Sequence, residues 1–468
     1  MSKVNVILSS IILILFFFGY LNFRQDDSYI YYTYAKNIAE GNGYVYNLGE
    51  KVNATTSPLY TLLLAVLYFI AKDISPDIFP LLGNFLAVIS LATIVFCVSK
   101  LLDKDNALKF FPLLFLLNPL LKFGFGMETF FNLSLITLSV LMYRKKKFIF
   151  SAFFAGLSVL ARLDSILFAA VLFLYYIITY KKLPPLKAIL IFLITITPWF
   201  VFSIFYFDSF LPTSISVKLS QGNFNMFGEG FVFLEGIRSK IPGTIWSVII
   251  IFASLSFSVT YIIIKWKTLK LNNSIKIIVL WGIALFISYA FILNAPPYPW
   301  YYTPFALPFT LIISITLGSL IKSKRYELIV IYMVFIAACL LPLKTYSEGF
   351  YPKYENYKNI AEWLNKNSRP NTTIAVDEIG ILRYYYKNGK IVDVLGLVNP
   401  EVVPHLNKKD FGWYISEYQP EFIVNDYPKI MNHAGRDDER FFNSYYPIKL
   451  FQSHGLKFAV YKRKSQLN

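Results

Sequence analysis

Long, uninterrupted apolar blocks recur along this chain from Val6 to Leu343, and no other feature limits its fold so sharply. Crossing the roughly 30 Å hydrocarbon core of a bilayer takes about 20 helical residues, because a helix satisfies its own backbone hydrogen bonds where water cannot. The blocks predict about eleven spans, at 6–23, 79–99, 107–122, 129–143, 148–161, 164–180, 186–206, 244–264, 275–294, 303–321 and 326–343. With 56% hydrophobic, 18% aromatic and 16% charged residues, the chain has more apolar surface than soluble cores would bury. The fold class this demands is a polytopic α-helical membrane protein.

A formal charge of +17 would suit nucleic acid, but the basic residues fall in short runs beside apolar blocks: 144–147, 181–182, 265–270 and 322–325. That is the positive-inside pattern, so no nucleic-acid partner is expected. Cys97 and Cys339 each lie inside an apolar segment, which argues against a disulfide framework or a zinc site. His405, His433 and His454 lack metal-ligand spacing. No small-residue cleavage site follows the first apolar run, so a retained first span is expected rather than a cleaved signal.

The run Pro58 to Ala71 decides the topology. It would cover only about 21 Å as a helix, and if it crossed, every later basic loop would face outward. It therefore reads as an interfacial or re-entrant helix that begins and ends outside. The basic loops then all face the cytoplasm. The outer face receives the loop with Asp26 and Asp27, "GMET" at 126–129, "ARLD" at 161–164, the long loop 207–243 and "PPYPWYY" at 296–302. Several unusual loops on one face suggest a single extracytoplasmic site. After Leu343 the apolar blocks stop. Residues 345–468 read as a small soluble α/β domain outside the membrane, with a helix in "YKNIAEWLNKN" (Ile360, Ala361 and Leu364 at helical spacing) and strands in "TIAVDE", "KIVDVLG", "EFIVND" and "GLKFAVYKR". The expected domains are thus 1–344, with interfacial helices within 24–72, and 345–468.

Each candidate has a plainer reading beside the functional one. An acidic doublet is usually solvated charge, but Asp26 and Asp27 are held against the first span and followed by a tyrosine-rich segment suited to an interfacial helix. A carboxylate fixed there can serve as general base for a hydroxyl arriving from water. Glu128 stands at a helix start, where it complements the helix dipole. Arg162 and Asp164 lie between apolar stretches, where ionisable groups are paired or used. A structural Arg–Asp pair explains them equally well. Lys218 reads as a solvated loop lysine or as a point charge for a phosphate leaving group. Trp300 and Tyr301 fit an aromatic belt, and their faces also stack on sugar rings or prenyl chains.

Taken in order, "DDSYIYYTYAKNIAEGNGYVYNLGEKVNATTSPLYTLLLA", "GMETFF", "ARLDS", "SFLPTSISVKL", "PWYY" and "VDEIGILRYYYKNGKIVDVLGLVNP" resemble the signature segments of GT-C fold glycosyltransferases. The resemblance is nearest to the branch with the mycobacterial terminal β-arabinofuranosyltransferases; protein mannosyltransferases and aminoarabinose transferases of lipid A are more distant. It implies a polyprenyl-phosphate sugar donor, an extracytoplasmic glycan, glycolipid or protein acceptor, and inverting transfer with a first-loop carboxylate as base. On this chain that carboxylate is Asp26 or Asp27, with the first of the pair favoured. The resemblance also implies substrate positioning by Glu128, while Arg162 and Lys218 are candidates for the phosphate. The family often has proline between the Arg and the acid of its "RPD" segment; Leu163 stands there instead.

A lipid phosphate donor needs no nucleotide motif, and the chain has neither a P-loop nor "HExxH". Carboxylates at 26, 27 and 128 could hold a divalent cation, but no dedicated ligand set accompanies them, so no cofactor is expected. The expected location is the cell membrane, with lipids as surroundings. The rival readings are a lipid-linked sugar flippase, which would place polar residues within several spans, and a non-catalytic envelope assembly subunit.

Overall fold

The computed structural model describes residues 3–75, 77–103, 105–223, 230–240, 245–265, 271–348, 352–427 and 438–464. Residues 266–270 of one basic run, His433 and parts of the loop 207–243 lie outside these. The α-helices of the described residues are, in order, α1 (Lys3–Gly19), α2 (Asp26–Ala39), α3 (Pro58–Ala71), α4 (Phe79–Leu101), α5 (Phe111–Leu117), α6 (Thr129–Arg144), α7 (Phe148–Ala161), α8 (Ile166–Tyr180), α9 (Leu186–Phe207), α10 (Thr213–Asn223), α11 (Val232–Lys240), α12 (Ile245–Ile264), α13 (Asn273–Ile287), α14 (Ala306–Leu320), α15 (Lys324–Ser347), α16 (Pro352–Asn367), α17 (Gly380–Tyr385), α18 (Val402–Asn407), α19 (Trp413–Tyr418) and α20 (Glu439–Ser444). Among the described residues, six helical segments are long and apolar enough to cross a membrane: Phe79–Leu101, Leu163–Tyr180, Leu186–Phe207, Asn273–Ile292, Pro299–Leu320 and Lys324–Ser347. The chain is a multi-pass membrane protein.

One expected span is broken. Residues 107–122 form a short 3-10 turn, the seven-residue α5 and a second 3-10 turn, Pro119–Gly124. Pro112 sits at the start of α5, Pro119 starts the next turn, and Asn118 stops the helix between them by accepting from the Leu120 N–H. Proline fixes φ and removes a donor, so each restarts the backbone, and α5 alone rises only about 10 Å.

The fold divides into two compact units. The first comprises 1–23, 80–199 and 230–349; the second comprises 24–79, 200–229 and 350–468. The first unit is helical, with a core that includes Ile12, Phe16, Leu91, Phe111, Phe130, Ile278, Trp281 and Leu311. The second holds a five-stranded sheet: β1 (Thr372–Val376), β2 (Gly389–Asp393), β3 (Phe422–Asp426), β4 (Tyr445–Ser453) and β5 (Leu456–Arg463), in the order β2-β1-β3-β5-β4. β1 pairs parallel with β2 and β3, while β5 pairs antiparallel with β3 and β4. The four expected strands are present. β4 was not foreseen because it is a mostly exposed strand at the sheet's edge that carries Pro447, and it lacks the apolar run of its neighbours.

The division does not follow the single expected boundary near residue 344. The first loop joins the sheet instead, through side chains that imitate backbone. Asn47 donates from Nδ2 to the Ile391 carbonyl at 2.9 Å and accepts from the Ile391 N–H at 3.0 Å, pairing with the open edge of β2 as a neighbouring strand would. The Tyr46 hydroxyl donates to the Ile379 carbonyl, and Arg383 donates back to the Tyr46 carbonyl. Tyr29, Tyr32 and Tyr34 of α2 are buried within this unit, with the Tyr29 ring against Tyr32 and Tyr384.

Candidate functional site

Asp26, Asp27 and Lys218 belong to the sheet-containing unit; Glu128, Arg162, Asp164, Trp300 and Tyr301 belong to the helical one. The acidic doublet opens α2, and helical geometry aims its two side chains about 100° apart. Asp26 turns toward α17. Its Oδ2 accepts from the Gly380 N–H and its Oδ1 from the Ile381 N–H, both at 2.8 Å, so both carboxylate oxygens are held by the first turn of that helix. A Cβ on Gly380 would lie 2.0 Å from the Asp26 carbonyl oxygen, so only glycine permits the approach. Burial, together with the charges of Glu378 and Asp27, raises the Asp26 carboxyl well above the usual carboxylate range against the opposing pull of the two N–H groups.

Asp27 turns the other way. It lines a cleft of about 40 Å³ with Ile30, Tyr31, Thr55, Thr56, Ser214, Lys218 and Leu397. A volume of this size takes one water-sized group, such as a hydroxyl or a phosphate oxygen. Ser214 lies in the first turn of α10 and Lys218 one turn later, so the two share a face. The Ser214 hydroxyl is buried and has no hydrogen-bond partner among the described residues. Leu397 is delivered by "DVLGLVNP", whose loop is wound about the fully buried Asp393: its carboxylate accepts from the Leu395 N–H at 2.9 Å and the Leu397 N–H at 2.7 Å. Spacing alone reveals neither Ser214 nor Leu397. A hint of the former is the polar start of α10, "PTS", one turn ahead of Lys218.

In the helical unit, "ARLD" ends α7 with Arg162 in an extended conformation (φ −157°, ψ 123°), and Leu163–Ser165 form a 3-10 turn that starts α8 without the family's proline. All five guanidinium N–H groups have acceptors: Asp164 Oδ1 from Nε at 3.2 Å, Asp164 Oδ2 and the Tyr289 hydroxyl from Nη2 at 2.7 and 3.0 Å, and Glu128 Oε1 and Thr129 Oγ1 from Nη1 at 2.9 and 3.2 Å. The Tyr289 hydroxyl in turn donates to Asp164. Tyr301 covers the guanidinium with its ring centroid 6.0 Å away, whereas Trp300 stacks on Tyr298. One expectation changes here: Arg162 has no N–H left for a phosphate. Glu128 stands at the N-terminus of α6 as expected; its side chain makes no cap hydrogen bond there but grips Arg162, and its Oε2 is buried with no hydrogen-bond partner among the described residues. Tyr289 and Thr129 were not foreseen; a lone tyrosine inside an apolar span carries no spacing signal.

Among the described residues, no group of three His, Cys, Asp or Glu side chains could hold a metal ion. Glu378 pairs with Lys353, yet burial pushes its carboxyl up to about 7 despite that lysine. The unfolded group titrates near 4.3. Folding therefore takes up a proton between these values, and the stability involved is complete below about 4.3 and lost as pH rises through about 7. Thermal unfolding of the detergent-solubilised protein should show a higher Tm at pH 5 than at pH 8, with Glu378→Gln narrowing the difference, since burial raises the Asp26 and Asp393 carboxyls in the same direction. An equal or higher Tm at pH 8 in the wild type would contradict this.

The model of a family described as Domain of unknown function (DUF8728) matches residues 344–463. No curated protein matches the chain. Among solved structures, ArnT from Cupriavidus metallidurans bound to undecaprenyl phosphate superposes with a TM-score of 0.64 and 12% identity, covering 98% of both chains. The apo state of that protein gives 0.59, with 12% identity and 97% of both chains covered. The chain therefore has the GT-C type of membrane fold.

Proposed function

We propose that this chain is an inverting glycosyltransferase that moves a sugar from a polyprenyl-phosphate donor to a hydroxyl of an extracytoplasmic glycan, glycolipid or protein, and that Asp27 is its base. The observation that carries the reading is the cleft that Asp27 shares with Lys218 and with the Ser214 hydroxyl, which has no hydrogen-bond partner among the described residues. Support also comes from the structural likeness to an ArnT that holds undecaprenyl phosphate. In the reaction, the acceptor oxygen attacks the anomeric carbon, the bond from that carbon to the phosphate oxygen breaks with its electron pair leaving on phosphate, and the acceptor proton passes to the Asp27 carboxylate. Lys218, Ser214 and the positive end of α10 would meet the departing phosphate. Asp26, with both oxygens committed to α17, sets the direction of α2 instead of reacting.

In this reading Arg162 and Asp164 hold their unit together, Tyr301 shields them, and Glu128 Oε2 remains an acceptor for a ligand hydroxyl. Trp300 is kept as a surface for an apolar chain or sugar face. The protein would sit in the cell membrane with its reactive face extracytoplasmic. An arabinofuranosyl donor follows from the nearest sequence resemblance and is the first sugar to try.

The test is a panel of synthetic short-chain prenyl-phosphate sugars, including the arabinofuranosyl compound, incubated with purified protein. The expected result is labelled sugar on an acceptor, or released to water, with inverted anomeric configuration. Donor binding without turnover anywhere in the panel would move the flippase or assembly-subunit reading ahead.

A further inference from the structure

The helical unit contains a second ligand-sized space that the transfer reaction leaves unused. It is an open groove of about 340 Å³ between α7, α8 and α9, lined almost wholly by apolar atoms, including Ala152, Ala155, Ala169, Phe173, Ala188 and Ile189. That is about twice the ~150 Å³ apolar cavity that stays dry and admits benzene. The three helices are rich in Phe, Leu, Ile and Tyr, and where they face one another the alanines at 152, 155, 169, 170 and 188 leave room between those larger side chains. α7 and α9 also come close at Gly156, where a Cβ would lie 2.9 Å from the Thr195 side chain. An open apolar groove of this size leaves its lining without contact partners unless an apolar molecule lies in it.

The surroundings indicate what fills it. Tyr143, Phe148, Tyr176 and Pro184 line the groove at the end where α6 leads into α7 and α8 into α9. Both connections are basic: Lys145, Lys146 and Lys147 in one, Lys181 and Lys182 in the other, all exposed. An apolar slot with five ammonium groups in its flanking loops complements a molecule with a hydrocarbon chain and an anionic head. We propose that this groove is a binding site for an anionic phospholipid, one acyl chain lying among the alanines and the phosphate meeting the lysines. The proposal is independent of the transfer chemistry and of Asp27.

Native mass spectrometry of the full-length protein decides it, using phosphatidylglycerol, phosphatidylcholine with identical chains, and farnesyl phosphate as probes. The expected result is one retained phosphatidylglycerol per protein, preferred over phosphatidylcholine. Ala155→Phe, which fills the slot, should weaken retention at least tenfold. Lys181→Ser with Lys182→Ser should reduce the preference by about fivefold per lysine, the factor equivalent to the ~1 kcal/mol each contributes near an anionic surface. Should Ala155→Phe fail to fold, the exposed lysine pair and the milder Ala152→Val carry the decision. Equal retention of both phospholipids by the wild type, or retention and preference unchanged in the folded variants, overturns the proposal. So does preferential loading of farnesyl phosphate, which would assign the groove to a prenyl lipid.

Discussion

Asp27→Asn is expected to lower transfer by about 10³-fold, within the 10²–10⁴ range that positioned acid–base groups contribute, and to leave folding intact. The substitution keeps size and polarity in the cleft shared with Lys218 and Ser214 but removes the site that accepts the acceptor's proton. Asp26→Asn should behave differently. An Asn there presents an NH₂ to one of the two N–H groups of α17 that the carboxylate now accepts from, and an opposed buried donor costs about 1–3 kcal/mol. Its signature is therefore a lower Tm, with residual activity in whatever fraction remains folded. Initial rates from a prenyl-phosphate donor, normalised to folded protein, separate the two. A stable but inactive Asp26→Asn beside an active Asp27→Asn would return the base to Asp26, the position that the family resemblance favours.

What could be read from the sequence follows from the range of the forces involved. Apolar length located the spans and α3, and short apolar runs rich in Val, Ile and Phe, bounded by turns, located β1, β2, β3 and β5, because those signals lie within the element itself. They failed where a local element was overridden. Two prolines and an asparagine cap break the 107–122 block despite its hydropathy. The acidic doublet and Lys218 were visible as residue types out of place. Which member of the doublet faces a cleft was not, because Asp26 meets its partners 354 and 355 positions away. The role of "DEIGILRYYY" and "DVLGLVNP" was hidden for the same reason: the first supplies the N–H groups that fix Asp26, and the second wraps Asp393 to present Leu397.

The Arg162–Asp164 pair is local and one of the sequence readings, whereas its extension to Glu128 and Tyr289, 34 and 127 positions away, carries no sequence signal; the largest expected loss of stability lies in this network. Arg162→Met should destabilise the protein by about 3–5 kcal/mol, the cost of stranding a buried partner charge. Glu128 is 3% exposed, and Asp164 would keep only the Tyr289 hydroxyl of its partners in this network. Arg162→Lys should recover only part of the loss, because an ammonium has three donors where five are used and cannot reproduce the two-point contact with Asp164. Neutralising the stranded acids should recover more, so the triple variant with Glu128→Gln and Asp164→Asn is expected to unfold at a higher temperature than Arg162→Met alone. Thermal unfolding in detergent across the four proteins measures this directly. If Arg162→Met unfolded with the wild type while the donor KM rose at least tenfold, the guanidinium would be a ligand for the donor phosphate after all, and its pairing with Glu128 and Asp164 would be a resting arrangement that substrate displaces.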